Sequence, residues 1–168
     1  GASYLQGMGF AAQASHALMG MAILPPLARR AGLGWLGESG MLITPEHGPG
    51  VRIAAIFTTI ENLPISEDNP HEWVGEYCKR CGNCARQCPS GAIMRDPIIH
   101  ADGRVTTIVR EKCFSFYLDN YSCGVCLIAC PFFRLSYEKV KKSYAKVLER
   151  EAKGNNLRGE GDASYSQG

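Results

Sequence analysis

No apolar run in this 168-residue chain approaches the roughly 18 residues that a membrane-crossing helix needs. Charge of one sign is scarce as well. A formal net charge of +2 and a sequence pI near 8.2 are too mild for the clustered basic face of a nucleic-acid binder, so no nucleic-acid partner is expected. The first residues, GASYLQGMGF, lack a basic stretch followed by an apolar one. Arg29-Arg30 sits inside a helical pattern and precedes no hydrophobic export segment. Four histidines, His16, His47, His71 and His100, form no metal-spaced pair, and His47 falls in the turn-rich PEHGPG. No Ser/His/Asp order, close carboxylate pair or phosphate loop stands out. What remains is an ordinary globular composition, 45% hydrophobic and 20% charged, sized for one domain or two small ones.

Cysteine is the exception to this scarcity. All eight fall into two runs, and both runs end in Cys-Pro. The first is CKRCGNCARQCP, with Cys78, Cys81, Cys84 and Cys88 before Pro89. The second is CFSFYLDNYSCGVCLIACP, with Cys113, Cys123, Cys126 and Cys130 before Pro131. The spacing C-x2-C-x2-C-x3-C-P is the cubane-binding run of bacterial-type ferredoxins, whose fourth cysteine serves the other cluster. Three thiolates at intervals of three wrap one cubane on a tight loop, and the fourth sits on a helix start that points away. The spacing therefore assigns Cys78, Cys81, Cys84 and Cys130 to a first [4Fe–4S] cluster, and Cys88, Cys113, Cys123 and Cys126 to a second. Gly82 and Gly124, each beside a ligand, allow backbone conformations that a Cβ resists. Structural zinc is the competing reading of C-x2-C pairs, but four ligands per ion have no use for a C-x3-C-P ending. Eight cysteines in 168 residues are also too dilute for a secreted disulfide scaffold.

Around these runs the pattern is mixed. Residues 2–20 read as a helix weakened by Gly7 and Gly9, and Ile23–Ala31 as a second with Pro25 and Pro26 near its first turn. Met41–Thr44 is a short strand, and VRIAAIFTTI (Val51–Ile60) reads as a buried one. ENLPISEDNP, residues 61–70, is a boundary loop. Ala92–Met94 and Arg104–Val109 are short strands of the cysteine-rich region. Ser136 caps a final helix, Tyr137–Lys153, with the apolar stripe Val140, Tyr144, Val147 and Leu148, before a polar glycine-rich tail expected to be disordered. Gly32, Gly34 and Gly37 spell G-x-G-x-x-G, but a helix precedes and a strand follows, the reverse of the dinucleotide arrangement. A glycine turn closing the helix is the better reading, although this glycine-rich stretch with Glu38 and Ser39 suggests backbone brought close to a ligand. Lys79, Arg80, Arg86 and Arg95 flank the first run; a solvated rim is the ordinary reading, with steering of an acidic redox partner or a raised cluster potential as the functional ones.

The stretch AGLGWLGESGMLITPEHGPGVRIAAIFTTIENLP, residues 31–64, followed by the two cysteine runs, resembles the C-terminal half of corrinoid-dependent reductases. That group includes reductive dehalogenases and epoxyqueuosine reductases. The nine-residue gap between Cys113 and Cys123 looks more like the dehalogenase branch. The resemblance covers roughly residues 1–135 and implies an α+β architecture. Part of a nitroreductase-like α/β, corrinoid-binding domain would occupy 1–66, a bacterial dicluster ferredoxin-like domain 67–134, and a C-terminal helix and tail 135–168. It also implies cobalamin beside the two clusters, with electrons passing from the clusters to cobalt and the substrate reduced there. Gly32, Gly34, Gly37, Glu38, Ser39, Pro45 and His47 would then approach the corrinoid. A tyrosine protonates the product in that group, assisted by a basic residue; Tyr4 and Arg52 stand near those places, although another alignment puts Phe10 at the tyrosine.

Such enzymes carry a large segment before this region, so residues 1–66 would cover only one side of a corrinoid. A missing N-terminal segment, a partner subunit or a loss of corrinoid would each account for that, and a membrane-anchoring partner is compatible with all three. Two functions follow. One is electron transfer through two clusters as a subunit or fragment of a reductive dehalogenase-like oxidoreductase. The other is a corrinoid-binding reductase that itself reduces an organic, halogenated substrate at Co(I). Thiolate clusters without an export signal favour the cytoplasm, and export after folding would apply to a processed dehalogenase.

Overall fold

A computed structural model describes residues 1–16, 20–64 and 68–159, with side chains to residue 153. The first expected helix divides. Helix α1 (Ala2–Gly7) ends where Met8 and Gly9 turn the chain, and residues 12–16 become strand β1 (Ala12–His16); the rest of the expected helix, residues 17–19, lies outside the described residues. What sequence periodicity missed is the partner 42 residues on: β1 pairs antiparallel with β4 (Ala54–Thr58), from Ala12 opposite Thr58 to His16 opposite Ala54. This ribbon corrects a second expectation. Strand β4 is not buried, because β1 is its one ladder partner among the described residues and Ile56 and Phe57 remain exposed.

Helix α2 (Leu24–Arg30) starts with prolines in its first turn, where an N–H would go unused, and buries Leu24 and Ala28. It leads into a tight hairpin of β2 (Trp35–Leu36) and β3 (Leu42–Ile43). The hairpin turn holds Gly37, Glu38 and Ser39, all buried, and Gly37 and Met41 close it through a backbone hydrogen bond of 3.0 Å. Thr44 and Gly48 then bridge around Pro45–His47.

The cysteine-rich part comprises α3 (Trp73–Cys81), α4 (Asn83–Arg86), a ribbon of β5 (Ile93–Ile99) and β6 (Val105–Ile108), α5 (Arg110–Asp119), α6 (Val125–Ile128) and α7 (Pro131–Arg134). Strand β5 runs five residues past its expected end, through Pro97. Its register with β6 shifts between Ile93 and Ile98, as expected where a proline cannot donate to the ladder. Helix α8 (Tyr137–Gly159) begins where the Ser136 hydroxyl accepts the Lys139 N–H at 3.4 Å. It continues through Gly159, six residues beyond the expected end; one internal glycine costs only about 1 kcal/mol and does not stop it. The remaining expected tail, 160–168, lies outside the described residues. The apolar stripe of α8 is buried only at its start: Val140 is buried and Tyr144 half-buried, whereas Val147 and Leu148 are about 40% exposed.

The central core joins Ile43 of β3, Val74 of α3, Phe132 of α7, and Tyr137 and Val140 of α8, with Trp35, Trp73 and Tyr77 packed against it. All three expected segments therefore contribute to one apolar cluster. Trp73 sets its ring against Phe132, Tyr137 and Tyr144 at centroid distances of 5.1–6.1 Å. These are the offset and edge-to-face separations favoured by aromatic quadrupoles.

Candidate iron–sulfur site

Cys78 and Cys81 ride on the last turn of α3. Gly82 caps that helix in the left-handed region (φ +55°), which swings the chain so that Cys84 on α4 turns back toward them. Gly82 is also needed for space, since a Cβ there would fall on the Arg95 guanidinium. Cys130 arrives from the second run as the residue before α7, with Pro131 in the first turn. These four thiols line one cavity together with Gly37, Glu38, Ser39, Ile43 and Tyr77. The first run's own fourth cysteine, Cys88, does not line it. It lies just beyond α4 and is followed by a turn rather than a helix.

Cys88 keeps company instead with the second run, where mutual repulsion links Cys113 with Cys88 and Cys123, and Cys126 with Cys113 and Cys123. Cys130 thus lies with the first run's thiols, and Cys88 near those of the second. Gly124 is not in the left-handed region; the strained residues of the long interval are Tyr121 and Ser122, at φ 50° and 64°.

The two thiol sets differ in their surroundings. Burial pushes the Cys78 thiol up to about 12, and the neighbouring thiols add to it, while the Glu38 N–H donated to its sulfur opposes the rise. Burial first, and the Glu38 carboxylate after it, take Cys84 up to about 11. Burial raises Cys130, against N–H donation from Phe132 and Phe133. Cys88 goes the other way. Its modest burial penalty is outweighed by the Ser90 hydroxyl at 3.5 Å and by backbone N–H groups, including that of Ala92 at 3.3 Å. Cys113, on α5, is exposed. The first set is therefore the more buried and the second the more open.

The donor chemistry fits cubane clusters. Each set offers four sulfurs, with backbone N–H groups directed at several of them, and the first set rings a space rather than a point.

The remaining expected site residues are distributed over five places. Gly37, Glu38 and Ser39 belong to the wall of the first thiol cavity. There the Glu38 N–H is donated to the Cys78 sulfur. Pro45 and His47 line a separate cleft with Phe132–Tyr137. Gly32 stands at the end of α2, and Gly34 packs tightly on the Ile43 carbonyl. Arg52 lines an open cavity of about 990 Å³ between α2 and the loop Pro49–Ile53, among Met21, Ile23, Met41 and Val51. Tyr4 is 71% exposed on α1 and does not line that cavity. Sequence reasoning set Arg95 among the cations flanking the first run but missed its meeting with Glu38. Its spacing carries no signal, because a register-shifted ribbon brings it over Gly82 and within 4.0 Å of Glu38.

Comparison with known proteins agrees with this geometry. Residues 77–134 match the family described as the 4Fe-4S dicluster domain, so this part of the chain is an iron–sulfur electron-transfer module with two [4Fe–4S] clusters. Over most of its length the chain is homologous to two kinds of reductase. It is 35% identical over 139 residues to the tetrachloroethene reductive dehalogenase of Sulfurospirillum multivorans, covering 77% of this chain and 27% of that protein. It is 30% identical over 115 residues to the epoxyqueuosine reductase of Listeria monocytogenes, covering 64% and 29%. A solved reductive dehalogenase, described for B12-dependent dehalogenation, superposes with a TM-score of 0.69 at 27% identity, covering 85% of this chain and 21% of that one. The chain thus spans about a quarter of the length of these relatives. No helix among the described residues is long and apolar enough to cross a membrane.

Proposed function

We propose that this chain is the electron-relay portion of a reductive dehalogenase-like oxidoreductase. In this reading Cys78, Cys81, Cys84 and Cys130 hold one cluster, and Cys88, Cys113, Cys123 and Cys126 hold the other. The carrying observation is the sorting of eight thiols into two sets, each completed by the last cysteine of the opposite run. A [4Fe–4S] cluster supplies one-electron chemistry at a potential set by hydrogen bonds, charge and solvent exposure. The residues differentiate the two sites in those same terms. Around the first set, the Glu38 N–H and the backbone N–H groups after Cys84 and Cys130 point at sulfur, and Tyr77, Ile43 and Phe132 exclude water. Around the second, Cys113 lies open to an approaching redox partner. The more open set thus faces the donor, and the more buried set faces residues 1–64.

A second reading, in which the protein also takes part in substrate reduction on cobalamin, is favoured by the cavity holding Arg52. Its mainly apolar wall of Met21, Ile23, Met41 and Val51 suits one face of a large macrocycle, with Arg52 supplying a cation near a reacting group. Tyr4 would have to be brought there by a rearrangement of α1. A further segment or a partner subunit would form the opposite face.

Anaerobic purification with iron, sulfide, cobalt and zinc analysis tests both readings. About eight irons and eight sulfides per chain are expected, falling by about half in either Cys130→Ala or Cys88→Ala. Zinc without sulfide, or Cys130→Ala leaving iron unchanged, would overturn the ligand assignment. Stoichiometric cobalt retained through purification would favour the second reading.

A further inference from the structure

Four polar or charged residues are buried among those described: Ser15, Glu38, Ser39 and Thr44. Glu38 alone of these carries a charge. It is 8% exposed, its Oε2 has no hydrogen-bond partner, and it lines the cavity of the first thiol set. A buried carboxylate oxygen left unpaired costs the fold free energy. Its single cation, Arg95, stands off at 4.0 Å, beyond hydrogen-bond distance. Arg95 is held there by its own packing: the guanidinium lies across Gly82, with Nη2 3.5 Å from the Lys79 carbonyl oxygen. Neither group satisfies the other fully; Glu38 lines the thiol cavity and its charge is felt at Cys84, while Arg95 lies over Gly82, which lines the same cavity. Unscreened charges act strongly in such a low-dielectric site. A negative charge opposes the arrival of an electron, and a positive one favours it.

We propose that Glu38 and Arg95 are an opposed electrostatic pair that sets the reduction potential of the cluster held by Cys78, Cys81, Cys84 and Cys130. The inference rests on the ligand assignment above. Both are positioning residues, since neither supplies a ligand atom. Glu38 comes from the β2–β3 turn and Arg95 from β5, so the potential depends on how the N-terminal segment sits on the cysteine-rich one. That dependence offers a route by which a molecule bound to residues 1–64 would alter electron delivery.

The test is an anaerobic redox titration of the cluster-loaded full chain, followed by electron paramagnetic resonance, with iron and sulfide measured on every sample. Glu38→Gln should raise the midpoint of the first couple, increasing its reduced-to-oxidised ratio at fixed potential about tenfold, which is about 59 mV for one electron. Arg95→Gln should lower it by a comparable amount, and Glu38→Asp should stay near the parent value. The second couple should move less in each variant. Full iron with no shift, or both charge-removing variants moving the same way as solvent entry would make them, overturns the inference while leaving the clusters in place. Iron lost from Glu38→Gln but kept in Glu38→Asp overturns it too, in favour of a role in cluster assembly. Absence of iron and sulfide from the parent chain would instead defeat the ligand assignment.

Discussion

Phe132→Ala is the perturbation that best tests whether one core unites the chain. Phe132 is 4% exposed, and its ring meets Trp73, Tyr77 and Tyr137 at centroid distances of 5.8, 5.3 and 5.7 Å. Truncating a buried phenylalanine costs roughly 3–5 kcal/mol, the upper end applying where the surroundings cannot collapse. Collapse is hindered here, because the backbone of Phe132 is pinned on both sides. Its N–H is donated to Cys130, and its carbonyl abuts Gly48. Against a total stability of about 5–15 kcal/mol, the loss should bring the variant to the edge of folding. Phe132→Leu keeps most of the burial and forfeits the ring pairs, so it should cost about 1–2 kcal/mol. Anaerobic urea denaturation, followed by far-ultraviolet circular dichroism and by the visible cluster band, measures both. The midpoints of the two signals should move together. A loss under about 1 kcal/mol for Phe132→Ala, or a cluster band that shifts while the dichroism does not, would refute the shared core.

Three further outcomes follow. Gly48→Ala places a Cβ against the Phe132 carbonyl in a left-handed backbone (φ +55°), so it should destabilise by about 1–2 kcal/mol or more; an unchanged denaturation midpoint would contradict the close approach. Burial raises Tyr77 and Tyr137 to about 12 from an ordinary 10.0. Stability from these neutral phenols is therefore complete below pH 10 and lost as pH rises through 12, by about 2–3 kcal/mol for each. Tyrosinate absorbance beside an alkaline unfolding curve would show it, and Tyr137→Phe should blunt the loss. In the cluster-free chain at neutral pH, Cys88 should be alkylated before Cys78, since thiolate is the reacting form and Cys78 stays protonated to about pH 12; mass spectrometry of a short iodoacetamide pulse reads the order.

The cysteine runs make the centre of the protein legible in the sequence itself, because cluster binding constrains spacing directly. The cross-over proposed for Cys88 and Cys130 rests on the reach of a C-x3-C-P segment. The N-terminal part is harder. AQASH looks helical when its neighbours are small and apolar, and its strand character comes from pairing with Ala54–Thr58, a contact absent from any local window. The short pair Trp35–Leu36 and Leu42–Ile43 is legible only in half, since two-residue strands hardly register as periodicity. Glu38 stands out for its glycine-rich setting. Its closeness to the first thiols emerges only when the hairpin folds onto α3, and Arg95 joins it through a register shift at Pro97.

The composition of the core bears on what counts as a module here. Of its five buried members, Ile43, Val74, Phe132, Tyr137 and Val140, only Phe132 lies within the recognisable stretch 77–134. That stretch carries every thiol but only one member of this central cluster, its other buried apolar residues being Ala92, Ile93 and Ala129. A gene fusion that grafted it alone onto another protein would transfer the ligands without the wall that shelters them. The enclosed thiols would be left open to solvent and, in air, to oxygen. The heritable unit is therefore larger than the motif: the hairpin before it and the first turns of the helix after it have to travel with it.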